Sequence, residues 1–329
     1  MTRRVAVVGG TRFLGVAAVR ELVGAGYEIL VAHRGQHELG PDPALNAVEH
    51  CHGDRDTLLA KGGPVERFRP ATIIDTFGGG ASAARGEQLV GVATRCGVER
   101  LVVVSSCDVY QAYVDAGLGD GSGRKLLPPT PLPISEDSPR RTEPYPGALP
   151  GHDNVAMEDA VAEFEGTVVV LRPGAIYGPG DTLCREWPLV RRALEKEAEL
   201  ELPAAGVQVF HRVAVERVAH ALVAAVTVPI PDKPHPWACN VVDPYDWTYA
   251  GLAAEIGRLL DWDWEPKVVS FGESAHQWQV ASPLLVSDVR LKEVLGVPPD
   301  SPDPRDALAT TVRWYVENGP DPESPYLAW

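Results

Sequence analysis

Val5-Ala6-Val7-Val8-Gly9-Gly10-Thr11-Arg12-Phe13-Leu14-Gly15 places four apolar residues before a glycine-rich turn and the start of a helical pattern. An apolar run this short suits a parallel strand covered by helices on both faces. Glycines at a strand-to-helix turn let the backbone approach a pyrophosphate, whose charge the N–H groups and dipole of the helix N-terminus favour. The same letters can also form a plain tight bend. What gives this turn weight is the alternation of strand and helix that follows it.

Working outward, further strands are expected at 27–32, 48–52, 72–75, 100–105 and 167–171, with helices at 13–25, 84–96 and 154–164 and a weaker one near 56–67. This is repeated βαβ order, so the fold class is α/β: a doubly wound parallel sheet of the Rossmann type. Residues 1–180, with contributions from about 210–245, should form the dinucleotide-binding domain. A smaller C-terminal mixed α/β lobe for the substrate is expected over 181–329, with helices near 189–196, 214–227, 248–260, 287–295 and 304–318. Between 128 and 151 the pattern breaks at Pro128, Pro129, Pro131, Pro133, Pro139, Pro144, Pro146 and Pro150. These remove donors and fix φ, so a long ordered loop is expected, and such loops tend to be functional.

The end of the second strand reads Val31-Ala32-His33-Arg34-Gly35, with no acidic residue to accept a ribose hydroxyl. Arg34 together with Arg12 forms a plausible two-guanidinium clamp for a 2′-phosphate, which favours NADP(H) over NAD(H). The alternative is that Arg34 is a solvated loop charge. In Gly53-Asp54-Arg55-Asp56, Asp54 is placed either to face an adenine or to cap a helix.

Composition narrows the partners. The chain of 329 residues carries 45 acidic and 30 basic side chains, a net charge of −15, with no Lys/Arg-rich run, which argues against a nucleic-acid partner. Five scattered cysteines form no CxxC pair, so neither a disulfide framework nor a metal site is expected. The N-terminal run lacks the longer apolar region of a signal peptide, and no stretch of about 18 apolar residues occurs, so a cytoplasmic protein with no membrane partner is expected.

The turn Gly9 to Gly15, the strand end Val104-Ser105-Ser106-Cys107-Asp108-Val109-Tyr110 and the segment Leu171-Arg172-Pro173-Gly174-Ala175-Ile176-Tyr177-Gly178-Pro179-Gly180-Asp181 resemble the extended short-chain dehydrogenase/reductases, the NAD-dependent epimerase/dehydratase family. Cys239-Asn240-Val241-Val242-Asp243, Thr248-Tyr249 and 288–296 carry the likeness over nearly the whole chain. It is most similar to the subgroup with Gly-Gly-Thr-Arg-Phe in the first turn, where most extended members have a further glycine at the Arg12 position.

The resemblance implies that Ser106 hydrogen-bonds the reacting oxygen of the substrate, that Ser105 lies near the cofactor, and that Pro173 and Gly174 flank the nicotinamide carboxamide. The implied cofactor contacts are Gly9, Thr11, Arg12, Phe13, Leu14 and Gly15, then His33, Arg34, Asp54, Arg55, Thr76, Phe77, Ser105, Asn154 and Pro173. The family's catalytic Tyr-x-x-x-Lys pair is missing: Pro150 stands at the tyrosine position and Asn154 at the lysine position. His152 is the best substitute acid/base because imidazole titrates near neutrality, although a surface histidine at a helix start reads the same way. Tyr110, Tyr145, Asp108 and Cys107 are further candidates. Substrate contacts are expected from Cys107, Tyr145, Trp187, His211, Arg212 and Trp278, where aromatic faces and basic tips suit a polar organic ring.

The expected activity is that of an NADP(H)-binding reductase, epimerase or dehydratase on a small hydroxylated or sugar-like molecule. Two alternatives stand beside it: a non-redox isomerase, lyase or cyclase on the same fold, and a non-catalytic nucleotide-binding protein. By analogy, a homodimer would form through helices 84–96 and 154–164.

Overall fold

The computed structural model describes residues 4–35, 43–46, 48–76, 80–117, 130–145, 148, 150–273, 280–325 and 327. In chain order the first half runs β1 (Arg4–Val8), α1 (Phe13–Gly24), β2 (Glu28–His33), α2 (Pro43–Asn46), β3 (Glu49–His52), α3 (Arg55–Leu58), α4 (Pro64–Phe68), β4 (Thr72–Asp75), α5 (Ala83–Cys96), β5 (Arg100–Val104), α6 (Gln111–Asp115) and α7 (Asn154–Val161). The second half adds β6 (Thr167–Pro173), β7 (Ala175–Tyr177), α8 (Trp187–Leu194), β8 (Glu199–Pro203), β9 (Arg212–Ala214), α9 (Val215–Thr227), β10 (Trp237–Val241), α10 (Tyr249–Leu259), β11 (Glu265–Val269), α11 (Val289–Glu293) and α12 (Pro304–Asn318).

Seven parallel strands form the central sheet in the order β10-β6-β5-β4-β1-β2-β3. The order reverses between β1 and β4, and in such sheets the crevice beyond the strand ends at that reversal is where ligands bind. The glycine turn after β1 sits there. On one face α1 and α9 bury Leu14, Ala18, Leu22, Val218 and Leu222 against Val7, Val31 and Val102. On the other, α5 and α7 bury Leu89, Val92, Met157 and Val161 against Ala6, Ile73 and Val103. Each such aliphatic side chain removed from water contributes about 1.5–3 kcal/mol, so the alternating apolar strands commit the sheet to two helical layers.

Gly86 shows how closely the second layer is packed. A Cβ built there would lie 2.6 Å from the Cβ of Ala160 and 2.8 Å from the carbonyl oxygen of Met157, so α5 and α7 meet backbone against side chain.

The strands expected from sequence are present, with differences that have local causes. The single helix expected near 56–67 is two short helices, α3 and α4, separated by Gly62 at φ 70° and by Pro64 at the start of α4. The helix expected at 287–295 is the five-residue α11. The seventh strand, β10, comes from beyond residue 210 and pairs with β6. The remaining C-terminal elements build a second core around Leu189, Leu252, Ile256, Leu308 and Tyr315, with β8–β11 and β7–β9 as two small parallel sheets. β11, absent from the sequence expectation, is largely exposed, which is why no apolar run announces it.

The described part of the proline-rich loop is pinned as expected. Its backbone exchanges hydrogen bonds with Val109, Gln111, Leu285 and Ser287 at 2.7–2.9 Å. Among the described residues, no helix is long and apolar enough to cross a membrane.

Candidate active site

The turn after β1 is drawn tight by its own backbone. Gly9 stands at φ 94°, the Thr11 N–H donates to Gly9 O at 3.0 Å, and the Gly15 N–H donates to Arg12 O at 2.8 Å. A Cβ at Gly15 would fall 2.5 Å from Gly9 O, so only glycine lets α1 approach the turn this closely. Arg12, the residue before α1, is extended and gives the helix no side-chain cap, which leaves first-turn N–H groups for an anion. These features fit a dinucleotide diphosphate.

Arg12 itself departs from the sequence expectation. Its Nη2 donates to Oδ2 of Asp321, 2.7 Å away in the segment that follows α12, so the two-guanidinium clamp with Arg34 is not assembled. Arg34 is exposed at the end of β2. His33 is buried, its Nδ1 accepts the Gly35 N–H at 3.2 Å, and Nε2 therefore donates to Nδ1 of His50 at 3.2 Å. Burial, reinforced by His52 and His50, lowers its pKa to about 4, so the ring closes the strand end as a neutral group rather than supplying charge.

Asp54 is exposed and caps α3 through the Thr57 N–H at 2.7 Å, the second of its two expected roles. The Arg55 guanidinium is committed to Gln88 at 2.8 Å and to Asp75 at 3.2 Å, where Asp75 is also held by both arms of Arg85. Thr76 closes on Val8 O through both its N–H and its hydroxyl, each at 3.1 Å. Phe77 and Trp278 lie outside the described residues.

Several residues expected at the cofactor or at the reacting centre are buried within the fold. Ser105 is buried and donates to Oε1 of Glu158 at 2.6 Å. Glu158 also receives Nε and Nη2 of Arg172 at 3.0 and 2.7 Å, which ties the end of β6 to the middle of α7. Tyr110, expected to be catalytic, is fully buried: its hydroxyl donates to Oδ1 of Asn240 and accepts from Arg172 at 3.0 Å. Burial raises its pKa, and the hydroxyl is engaged on both sides within the protein. Cys107 is likewise corrected, since its thiol is buried, bonded to Arg172 O at 3.2 Å, and pushed up in pKa by desolvation.

At the site itself, the half-buried Ser106 caps a single 3₁₀ turn, Cys107–Val109, by accepting the Asp108 N–H at 3.1 Å. That turn aims Asp108 at the start of α7. Asn154 Nδ2 donates to both carboxylate oxygens of Asp108, each at 3.0 Å, and Nε2 of His152 lies 3.6 Å from Asp108 Oδ2 and 3.3 Å from Asn154 Nδ2. Arg141, from the proline-rich loop, donates to Asp108 O at 3.0 Å, pairs with Asp153 at 2.9 Å and lies 4.0 Å from the Asp108 carboxylate. Asn154 Oδ1 and His152 Nδ1 are buried with no hydrogen-bond partner among the described residues. Orphaned polar atoms in such a place are what a bound ligand would satisfy.

The half-buried Tyr145 lies with its ring 5.8 Å from the Arg141 guanidinium, near this cluster. The other substrate candidates are engaged elsewhere. Trp187 packs on Tyr315 in the second core. His211 is buried, donating to Asp243 O at 2.9 Å and accepting the Val286 N–H at 2.9 Å, so both ring nitrogens are used. Arg212 is buried with Nε and Nη2 on Asp246 at 3.1 and 2.8 Å and Nη1 on Glu186 at 3.3 Å. The two residues expected to meet a substrate are instead internal ties. The hub Asp108 ranked lower in the sequence reading, and its signal was an acid two residues after Ser106. Nothing local in the sequence marks Arg141 or Asp321.

Comparison with known proteins agrees with this architecture. Residues 5–239 match the model of the NAD dependent epimerase/dehydratase family, and the chain belongs to that family. It is a nicotinamide-dinucleotide-dependent enzyme by that membership. In overall fold it is similar to MoeE5 in complex with UDP-glucose and NAD, at 21% identity over 95% of this chain and 99% of that one, with a TM-score of 0.68. It is also similar to UDP-glucose 4-epimerase from Thermotoga maritima with UDP-glucose, at 18% identity over 95% and 99%, TM-score 0.68. A third is the Bordetella bronchiseptica enzyme WbmG in complex with NAD, at 18% identity over 98% and 97%, TM-score 0.69. No curated protein matches the chain.

Proposed function

We propose that the protein is an NADP(H)-using reductase, epimerase or dehydratase acting on a small hydroxylated, sugar-like substrate, with an Asp108–Asn154–His152 cluster in place of the family's Tyr-x-x-x-Lys pair. The convergence of Asp108, Asn154 and His152 beside Ser106 carries this reading, because it brings a proton-exchanging ring, a carboxylate and an amide to the place where the usual pair is missing. A bound nicotinamide supplies or accepts a hydride. Ser106 donates a hydrogen bond to the reacting oxygen of the substrate, and His152 takes or returns the proton at that oxygen. Asp108 stabilises the imidazolium formed in that exchange, as a carboxylate beside a catalytic ring does elsewhere. Asn154 holds Asp108 with its Nδ2, while its Oδ1 is available to accept from a ribose hydroxyl.

The exposed Arg34, the neutral His33 and the lack of an acid within Val31 to Gly35 support the phosphorylated dinucleotide. That MoeE5, WbmG and the Thermotoga enzyme carry UDP-sugars or NAD in their structures supports sugar nucleotides as first substrates to try.

The test is turnover of a panel of UDP-hexoses and simple hydroxy-carbonyl compounds by purified protein, with the absorbance of reduced nicotinamide followed throughout. Net oxidation of NADPH identifies a reductase. Product formed with the cofactor unchanged identifies an epimerase or dehydratase. Ser106→Ala and His152→Phe are each expected to lower the rate at least about tenfold, equivalent to about 1.4 kcal/mol. Turnover that is independent of dinucleotide, or two variants with undiminished rate, overturns the proposal.

A further inference from the structure

Arg12 stands where the backbone turn is built to receive a diphosphate, yet its guanidinium is turned to a carboxylate 309 positions away. Asp321 is held in place for that contact. Its N–H donates to the Sγ of Cys184 at 3.1 Å, its Oδ1 accepts the Glu323 N–H at 2.9 Å, and its carbonyl accepts the Ser324 N–H at 3.0 Å. Ser324 in turn donates its hydroxyl to Leu183 O at 2.6 Å. Residues 321–324 therefore form a strap fastened to the 181–184 loop of the second lobe, and one carboxylate oxygen of the strap reaches across to the turn of the first.

We propose that the Arg12–Asp321 pair is a latch across the dinucleotide crevice: Asp321 competes with the cofactor's diphosphate for the Arg12 guanidinium, and cofactor binding releases the strap. This rests on the dinucleotide reading given above. The diphosphate offers Arg12 a bidentate match at least as good as a carboxylate, and its two phosphates together carry two negative charges against one. The pair is weak enough to exchange, since the Arg12 side chain is 40% exposed and that of Asp321 18%. No bond is made or broken beyond hydrogen bonds, so the exchange is reversible.

The experiment titrates NADP+ and NAD+ into the full chain by calorimetry, for wild type, Asp321→Asn and Ser324→Ala, with hydrogen exchange of 319–325 followed at saturation. Asp321→Asn keeps the shape but removes the competing charge and is expected to bind both dinucleotides about threefold to fivefold more tightly. Ser324→Ala loosens the far end of the strap without touching Arg12 and shifts affinity the same way, less strongly. In wild type, saturation with NADP+ raises exchange in 319–325.

Unchanged or weaker binding by Asp321→Asn, alongside measurable binding by wild type, overturns the latch and leaves the cofactor reading standing. Increased protection of 319–325 on saturation also overturns it. Failure of all three proteins to bind either dinucleotide instead overturns the cofactor reading. Binding by Asp321→Asn alone supports the latch in its strongest form.

Discussion

Replacing Glu158 by alanine removes the acceptor of three buried hydrogen bonds, from Ser105 at 2.6 Å and from Arg172 at 3.0 and 2.7 Å. The Glu158 side chain is 1% exposed and that of Arg172 6%, so solvent cannot take over either charge. Arg172 keeps the Tyr110 hydroxyl at 3.0 Å, which is a neutral partner. The variant therefore leaves a guanidinium buried without its counter-ion, a situation that costs about 3–5 kcal/mol.

The pair itself contributes little over an apolar filling, because the desolvation of two ions offsets much of their attraction. Glu158→Leu combined with Arg172→Met should thus recover most of the stability lost by the single variant. The assay is urea denaturation followed by tryptophan fluorescence, with stability extrapolated to water for wild type, both singles and the double. A single-variant loss below about 1 kcal/mol, or a double variant as unstable as the two singles combined, refutes the reasoning. Because Glu158 lies one turn along α7 from Asn154, the same variants report on the site. Loss of activity in a double variant of restored stability would show that the pair sets the position of α7 in addition to filling space.

Three further outcomes follow from the geometry. Gly86→Val forces a branched side chain into a 2.6 Å gap against Ala160 and should lower stability by about 1–3 kcal/mol or more, read as a fall in thermal midpoint; an unchanged midpoint means α5 and α7 are not in this contact. Burial depresses the pKa of His33 from 6.5 to about 4, so the unfolded chain takes up a proton that the folded one refuses. Wild type should lose stability as pH falls through that interval, and His33→Asn should lack that portion of the loss in denaturation midpoints compared at pH values spanning it. Asn154→Asp puts a second carboxylate 3.0 Å from both oxygens of Asp108 and should destabilise the protein near neutrality, whereas Asn154→Lys should be tolerated; melting temperatures that rank them the other way contradict the assigned contacts.

The sheet was legible because runs such as Val5–Val8 and Leu101–Val104 are buried on both faces and leave no polar residue to confuse the period. β10 is no less buried, but it carries Asn240 and its place beside β6 is a matter of long-range pairing that no local pattern encodes. The glycine turn was legible for the same local reason as the first strands. His211 and Arg212 were misjudged because letters show a charge without its partner: Asp246 and Glu186 neutralise Arg212 from elements on either side of it in sequence, and that converts a ligand-binding type of residue into an internal tie. Tyr110 failed similarly, since its acceptor, Asn240, is 130 positions away. Spacing alone put His152 and Asn154 at the start of a helix, while their shared contact with Asp108 needed the fold to bring the turn after β5 to the start of α7.

The late arrival of β10 bears on how the molecule is made. While the polypeptide is emerging from the ribosome, β6 can pair with β5 but keeps an open edge until residue 241 has left the exit tunnel, and α1 lacks its cover from α9. An unpaired parallel edge and an uncovered apolar face are the features that recruit other nascent chains. The first 180 residues produced alone should accumulate as insoluble material, and the completed chain should depend on reaching its last sheet strand before a neighbour does.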